Sequence, residues 1–262
     1  MLLFYIKKNF CDGWDNLFSL FLVNIVIIGI AIGIYFSVGA IIESLPAIGI
    51  ALQIIGLYLL FTAIFAFGEN AANIANFKSV SFKDYLNCFK NPNLWKDSLG
   101  FTLLVGIIFA LSLFVIPFYL NMGNMVGTFL AAVLFWLLFV FTLAFQWFLP
   151  IRSLMNNGFK KCVKKSFLIF FDNPGFSIFV FIYSILLLAM SLFLFFMLPG
   201  FSGIVLAHMN ALRLRLYKYD WYEENPELSP AQRKHIPWDE LLAEDYETLG
   251  PRPLKSFIFP WK

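Results

Sequence analysis

Charge is scarce in this chain and unevenly spread. Asp, Glu, Lys and Arg make up 13% of its 262 residues, against roughly 25% in soluble domains. That shortage excludes a water-exposed globular enzyme. Histidine and cysteine are also rare, with two and three copies. Cys11, Cys88 and Cys162 are odd in number and far apart in sequence, so they support neither a CxxC metal site nor a disulfide framework. They read as small residues packed at helix ends. The phosphate loop GxxxxGK[ST], the HExxH zinc helix, the GxSxG elbow and the dinucleotide glycine fingerprint are all missing. Gly200-Phe201-Ser202-Gly203 has the wrong spacing for a serine elbow. The expectation is a protein that is not an enzyme and takes no cofactor or metal. A net charge of +3, accounted for by loop lysines, leaves no basic surface for nucleic acid.

Apolar side chains are abundant instead: 60% of residues are hydrophobic, 34 are Phe, and the mean hydropathy is +0.78. Uncharged runs of 27, 25, 54 and 40 residues separate Asp15 from Glu43, Glu43 from Glu69, Asp97 from Arg152, and Asp172 from Arg213. A helix crossing a bilayer needs about 20 apolar residues, so the first three runs supply four spans, the third folding at Asn121-Met122-Gly123-Asn124. Stretches such as 134–145 are apolar on every face, unlike the alternating strands of a membrane barrel. Lys7 and Lys8 precede a run of 27 residues, whereas a cleavable signal has an apolar region of about 7–15. The first helix is therefore expected to be retained.

A repeat organises these runs. Three stretches, starting at Phe4, Phe82 and Phe159, begin with a Lys-bearing amphipathic segment, break at Asp, Asn, Gly or Pro, and continue as an apolar run. In the second, Ser81 caps a short helix whose Phe82, Tyr85, Leu86 and Phe89 share one face, and Asn91-Pro92 stops it. In the third, Phe159, Val163, Phe167 and Phe170 oppose Lys160, Lys161, Lys164 and Lys165 until Asp172-Asn173-Pro174-Gly175. Such helices suit the membrane interface, with those four lysines facing anionic lipid headgroups. The first two hairpin turns fall about 40 residues into their units. A third turn is then expected at Pro199-Gly200, making the chain after Ser202 a sixth helix in which Arg213 and Arg215 must snorkel.

The predicted fold is all-α: a polytopic helical membrane bundle of six passes, built as three amphipathic-helix-plus-hairpin units. Five passes plus a re-entrant segment is the alternative. A transmembrane domain covers 1–219, with spans near 17–42, 47–68, 99–120, 125–149, 175–198 and 202–219, and a soluble cytoplasmic tail covers 220–262. Every Lys and Arg cluster falls on one side of six passes, which by the positive-inside rule is the cytoplasm. Both termini are therefore expected there, in a bacterial plasma (inner) membrane.

The tail carries nine acidic and five basic residues over 220–262. Pro237-Trp238-Asp239-Glu240 opens a short helix ended by Gly250-Pro251. Its aromatic and apolar residues, Trp238, Leu241, Leu242, Phe257, Phe259 and Trp261, are candidate contacts, either with the protein's own cytoplasmic helices at 82–90 and 159–171 or with another protein. Within the membrane, charge is absent from the first five spans, which counts against ion pumps and proton-coupled carriers. Asn24, Gln53, Gln146, His208 and Asn210 are the polar minority, most of them expected to be interhelical hydrogen-bond glue. Asn24, Gln53, His208 and Asn210 form the candidate intramembrane polar site, with His208 and Asn210 facing the bundle interior. Small residues four apart (Gly29, Gly33, Ser37; Thr102, Gly106, Ala110; Gly123, Gly127, Ala131) offer close-packing ridges.

The stretches Asp15-Asn16-Leu17 through Leu22-Val23-Asn24, Phe82 to Lys96, and Leu198-Pro199-Gly200 through Leu216-Tyr217-Lys218-Tyr219 together resemble the YesL-like family of bacterial integral membrane proteins over roughly residues 1–220. The family's short Pro-Thr-Gly-type segment after the first span is not evident here, and the acidic tail is not part of its pattern. The resemblance implies an association with carbohydrate import systems and carries over no catalytic residues. Two functions are therefore expected to compete: a non-catalytic accessory or scaffold protein, and a small-molecule permease or channel with a polar pathway near His208 and Asn210.

Overall fold

The computed structural model describes residues 1–229 and 231–252, and among them every regular element is helical. The first unit comprises α1 (Leu2–Asp15), α2 (Leu17–Ile41) and α3 (Pro46–Ala75). The second comprises α4 (Phe82–Cys88), then α5 (Pro92–Ala110) running through a π-helical turn, Leu111–Val115, into α6 (Ile116–Asn121), and returning as α7 (Met125–Phe145). After α8 (Phe148–Met155), the third unit comprises α9 (Phe159–Asp172), α10 (Pro174–Phe193) and α11 (Gly200–Glu224). The tail adds α12 (Trp238–Leu241) and α13 (Ala243–Leu249).

The local sequence explains these boundaries. Pro46, Pro92 and Pro174 sit in the first turns of α3, α5 and α10, where a missing N–H costs nothing and the fixed φ suits a helix. Ser81 and Asp84 form a capping box on α4. Burial is minimal there, and the N–H of Ser81 holds the Asp84 carboxyl below the usual carboxylate range. The π turn lies just before Pro117, whose ring displaces the carbonyl four residues earlier. Widening the helix there accommodates the mismatch.

Five helical stretches are long and apolar enough to cross a membrane: Leu17–Ile41, Pro46–Ala75, Pro92–Asn121, Met125–Met155 and Pro174–Phe193. α11 is of a different kind. It packs against α1, α2, α3, α8 and α10, and much of it is buried from Gly200 to Lys218. Its composition suits a central post surrounded by protein rather than a lipid-facing helix.

The core is not centred along the long helices. The reversal between α10 and α11 lies against Asn24, the eighth residue of α2 and only about 10 Å along it at 1.5 Å per residue. Beyond that level the α2–α3 and α6–α7 hairpins stand apart from the bundle, with Tyr35, Phe36, Phe114, Phe118, Met125 and Phe129 exposed. Toward the other end α1, α8, α9, α11 and the tail converge on a continuous core that includes Tyr5, Phe65, Trp147, Phe148 and Leu212. Apolar exposure on the outer halves is what a lipid solvent tolerates.

Several expectations are corrected. The helices outrun the expected spans: α3 and α5 begin or end beyond 47–68 and 99–120, α7 gives way at Gln146 to α8, and α11 runs past 219 to Glu224. Arg213 and Arg215 do not snorkel, because protein partners surround them. The amphipathic segment near Phe4 packs one face into the protein, burying Phe4, Tyr5, Lys8, Asn9, Cys11 and Asp12, and leaves Leu3, Phe10 and Trp14 exposed on the other. The ridges divide as well. A Cβ on Gly127 would come 2.3 Å from the Tyr119 carbonyl, so this glycine lets α6 and α7 meet, while Gly29, Gly33 and Gly106 face open space.

Candidate functional site

The richest chemistry lies where α1, α11, the α3 terminus and the tail converge. Lys8 and Asp12 are four apart on α1 and pair at 2.9 Å, with side chains 2% and 6% exposed. Asn210 of α11 donates to Asn9 Oδ1 and Asp12 Oδ2, each at 2.8 Å. Burial dominates both titrations: it pulls the Lys8 ammonium below its usual range and pushes the Asp12 carboxyl up, and their mutual attraction opposes each shift. The chain leaves α3 through Phe77, held at φ 57, a conformation that is uncommon outside glycine. Its ring centroid lies 3.6 Å from Lys8 Nζ and 4.9 Å from the Arg213 guanidinium. Two cations thus face one aromatic ring.

Arg213 carries this junction to the tail. It makes two parallel hydrogen bonds, both 2.8 Å, to the carboxylate of Asp245 on α13, and the Tyr217 hydroxyl donates to the same carboxylate at 3.1 Å. Phe4 meets Tyr246 edge-on at 4.7 Å, Lys7 donates to the Gly250 carbonyl, and Arg252 pairs with Asp15. Leu242 is 1% exposed, Leu241 is half-buried, and Trp238 packs on the core with its ring 5.2 Å from the Arg215 guanidinium. The polar and ring contacts run to α1 and α11, while Leu242 and Trp238 share a core with Ile169 and Phe170 of the helix at 159–171. Phe257, Phe259 and Trp261 lie outside the described residues.

Two further ion clusters flank this junction. Arg215 donates to Asn173 Oδ1, which Lys218 also reaches, and Lys218 pairs with Asp172 at 2.7 Å. Arg152 of α8, 5% exposed, bridges Glu69 of α3 at 2.8 Å and Asp97 at the start of α5 at 2.9 Å. Sequence reasoning missed this bridge, although a signal was present. Glu69, Asp97 and Arg152 each bound an apolar run, on the side predicted to be common.

The four intramembrane candidates are not brought together. Asn24 donates to the Met197 and Pro199 carbonyls and accepts from the Ser202 N–H at 2.9 Å, clamping the α10–α11 reversal. Gly200 beside it has φ +60, and a Cβ there would lie 2.2 Å from Asn24 Nδ2. His208 Nε2 lies 2.9 Å from Ser184 Oγ, in a crevice with Val105, Thr142 and Phe181. Asn210 is buried in the α1 junction, and Gln53 is exposed on α3. Gln146 bonds the Leu143 and Ser177 carbonyls, holding α7 to α10. Burial raises the Cys11, Cys88 and Cys162 thiols, which makes them weak nucleophiles. No group of three or more His, Cys, Asp or Glu suited to a metal occurs among the described residues.

Helix lengths, apolar outer faces and an inward-turned polar layer define a polytopic helical membrane protein. No family model, curated protein or solved structure matches the chain.

Proposed function

We propose that the protein is a non-catalytic membrane accessory or scaffold subunit of a bacterial plasma membrane, serving a solute import system of the carbohydrate type that the YesL resemblance implies. One observation carries this reading: the polar and charged side chains of α11 are turned onto α1, α10 and the tail, not toward a shared pathway. Asn24, Gln53, His208 and Asn210 would have to converge in a permease, and their separate placement favours the scaffold. The docked tail presents a preformed surface at the end of the bundle where basic residues cluster.

In this reading that end is cytoplasmic. The pairing of Arg252 with Asp15 supports placing both chain ends on one side, whether the α10–α11 hairpin crosses fully or re-enters. Lys160, Lys161 and Lys164 are exposed and Lys165 is half-buried on α9, available to anionic headgroups. The test has two arms. The protein purified in mild detergent should retain a stoichiometric membrane partner, and alone in liposomes it should not raise sugar uptake above that of empty vesicles. Saturable uptake by the lone protein would replace the scaffold reading with the permease.

A further inference from the structure

An apolar groove of about 400 Å³ runs between α2, α3 and α4, outside the junction described above. That size falls within the roughly 300–1,000 Å³ of ordinary ligand pockets. Its floor includes Ile27, Ala66 and Phe67, which are buried. Its rim is Phe18 on α2 and Phe82 and Leu86 on α4, which are 72%, 72% and 55% exposed. The apolar face of α4 is thus left largely unpacked by the protein itself.

Three features identify what would cover it. The first is depth. The α2 residues in the lining begin at Phe18 and end at Ile27, a rise of about 14 Å, close to half of the roughly 30 Å hydrocarbon thickness. The groove is therefore about as long as one leaflet is thick. The second is the placement of its polar atoms. Ser19 Oγ and Tyr85 OH bond each other at 2.5 Å near the outer end of the groove, where the ester region of a lipid would lie if its chain filled the rest. The third is charge. Lys78, Lys83 and Lys90 are exposed on the segment that forms the α4 wall. None is in an ion pair among the described residues, and the carboxylate beside them, Asp84, caps α4.

We propose that this groove binds one anionic diacyl phospholipid, with an acyl chain along α2, the ester region at Ser19 and Tyr85, and the phosphate among Lys78, Lys83 and Lys90. The site rests on the membrane-embedded fold and is independent of the scaffold reading. It is also distinct from the lysine face of α9, because it has a shaped apolar slot, lined without any lysine, next to a lysine-bearing segment.

The test uses the full-length protein in phosphatidylcholine vesicles containing a phosphatidylglycerol with a photoactivatable diazirine in one acyl chain. Labelling should concentrate on peptides carrying Leu22 and Leu86, and unlabelled phosphatidylglycerol should compete better than phosphatidylcholine. Ala63→Phe, which fills the slot, should abolish labelling of those peptides. Replacing Lys78, Lys83 and Lys90 by Gln leaves the packed interior untouched and should lower the preference for phosphatidylglycerol by about fivefold per lysine. Labelling spread evenly over the outer faces of the spans would overturn the proposal. So would equal competition by both lipids, or these residues being shielded by another protein segment.

Discussion

Breaking the Arg213–Asp245 pair should release the tail and leave the membrane bundle folded. The two side chains are 15% and 5% exposed and meet through two bonds of 2.8 Å. Removing one partner of a buried pair costs about 3–5 kcal/mol, because the other charge is stranded. In Asp245→Ala, Arg213 keeps the Tyr217 hydroxyl and the Phe77 ring and regains water once α13 lifts. The loss is therefore capped by the free energy of docking. Burial of Leu242 and Leu249, 1% and 3% exposed, favours docking by about 1.5–3 kcal/mol per side chain, and ordering the tail opposes it. A weakening of about 2–3 kcal/mol is expected, a roughly 30- to 150-fold rise in the open population. Hydrogen exchange in nanodiscs measures this directly: amides of 238–249 should lose protection by that factor while those of α3 keep theirs. Asp15→Ala is the control. Its pair with Arg252 has side chains 48% and 37% exposed, and such surface pairs contribute about 0–1 kcal/mol. Unchanged exchange in Asp245→Ala, or equal effects of the two variants, would refute the latch.

Gly200→Ala places a methyl against Asn24 and forces a side chain into positive φ. The backbone conformation alone costs about 1–2 kcal/mol, so Tm should fall, and Gly200→Ala should cost less in an Asn24→Ala background, where only the steric part of its effect is gone. Arg152→Met leaves Glu69 and Asp97 facing each other, which should cost about 3–5 kcal/mol in thermal unfolding. Adding Glu69→Gln and Asp97→Asn should restore most of it. Burial pushes the Cys88 thiol up to about 12 and the Cys162 thiol up to about 11, so both stay protonated at pH 8. Mass spectrometry should show slow maleimide addition until the protein is denatured, and rapid native labelling of either would contradict the packing. With that background shielded, Lys234→Cys should resist an impermeant maleimide applied to intact cells. Labelling from outside would overturn the cytoplasmic placement.

The sequence by itself determined the helical class, the hairpin turns and the amphipathic segments. Each follows from local physics: uncharged runs long enough for a bilayer, prolines in first turns, and a Ser81–Asp84 cap read within a few residues. It also placed the reversal at Pro199-Gly200, because the repeat spacing is a property of the chain. Only the tertiary structure decided what α11 is. Its hydropathy describes a poor lipid-facing span, but burial depends on neighbours, and α1, α3 and α10 surround it. For the same reason Arg213 and Arg215, read as snorkelling, are paired instead: the carboxylate of Asp245 and the amide of Asn173 lie 32 and 42 residues away in sequence. Asn24, His208 and Asn210 were legible as polar exceptions, but their separation was not, since composition records that a hydrogen-bonding group is buried and not which helix satisfies it. The Lys8–Asp12–Phe77 junction and the Arg152 bridge depend on contacts between segments far apart in sequence. Pairing across such distances is set by how helices pack, which no local pattern specifies.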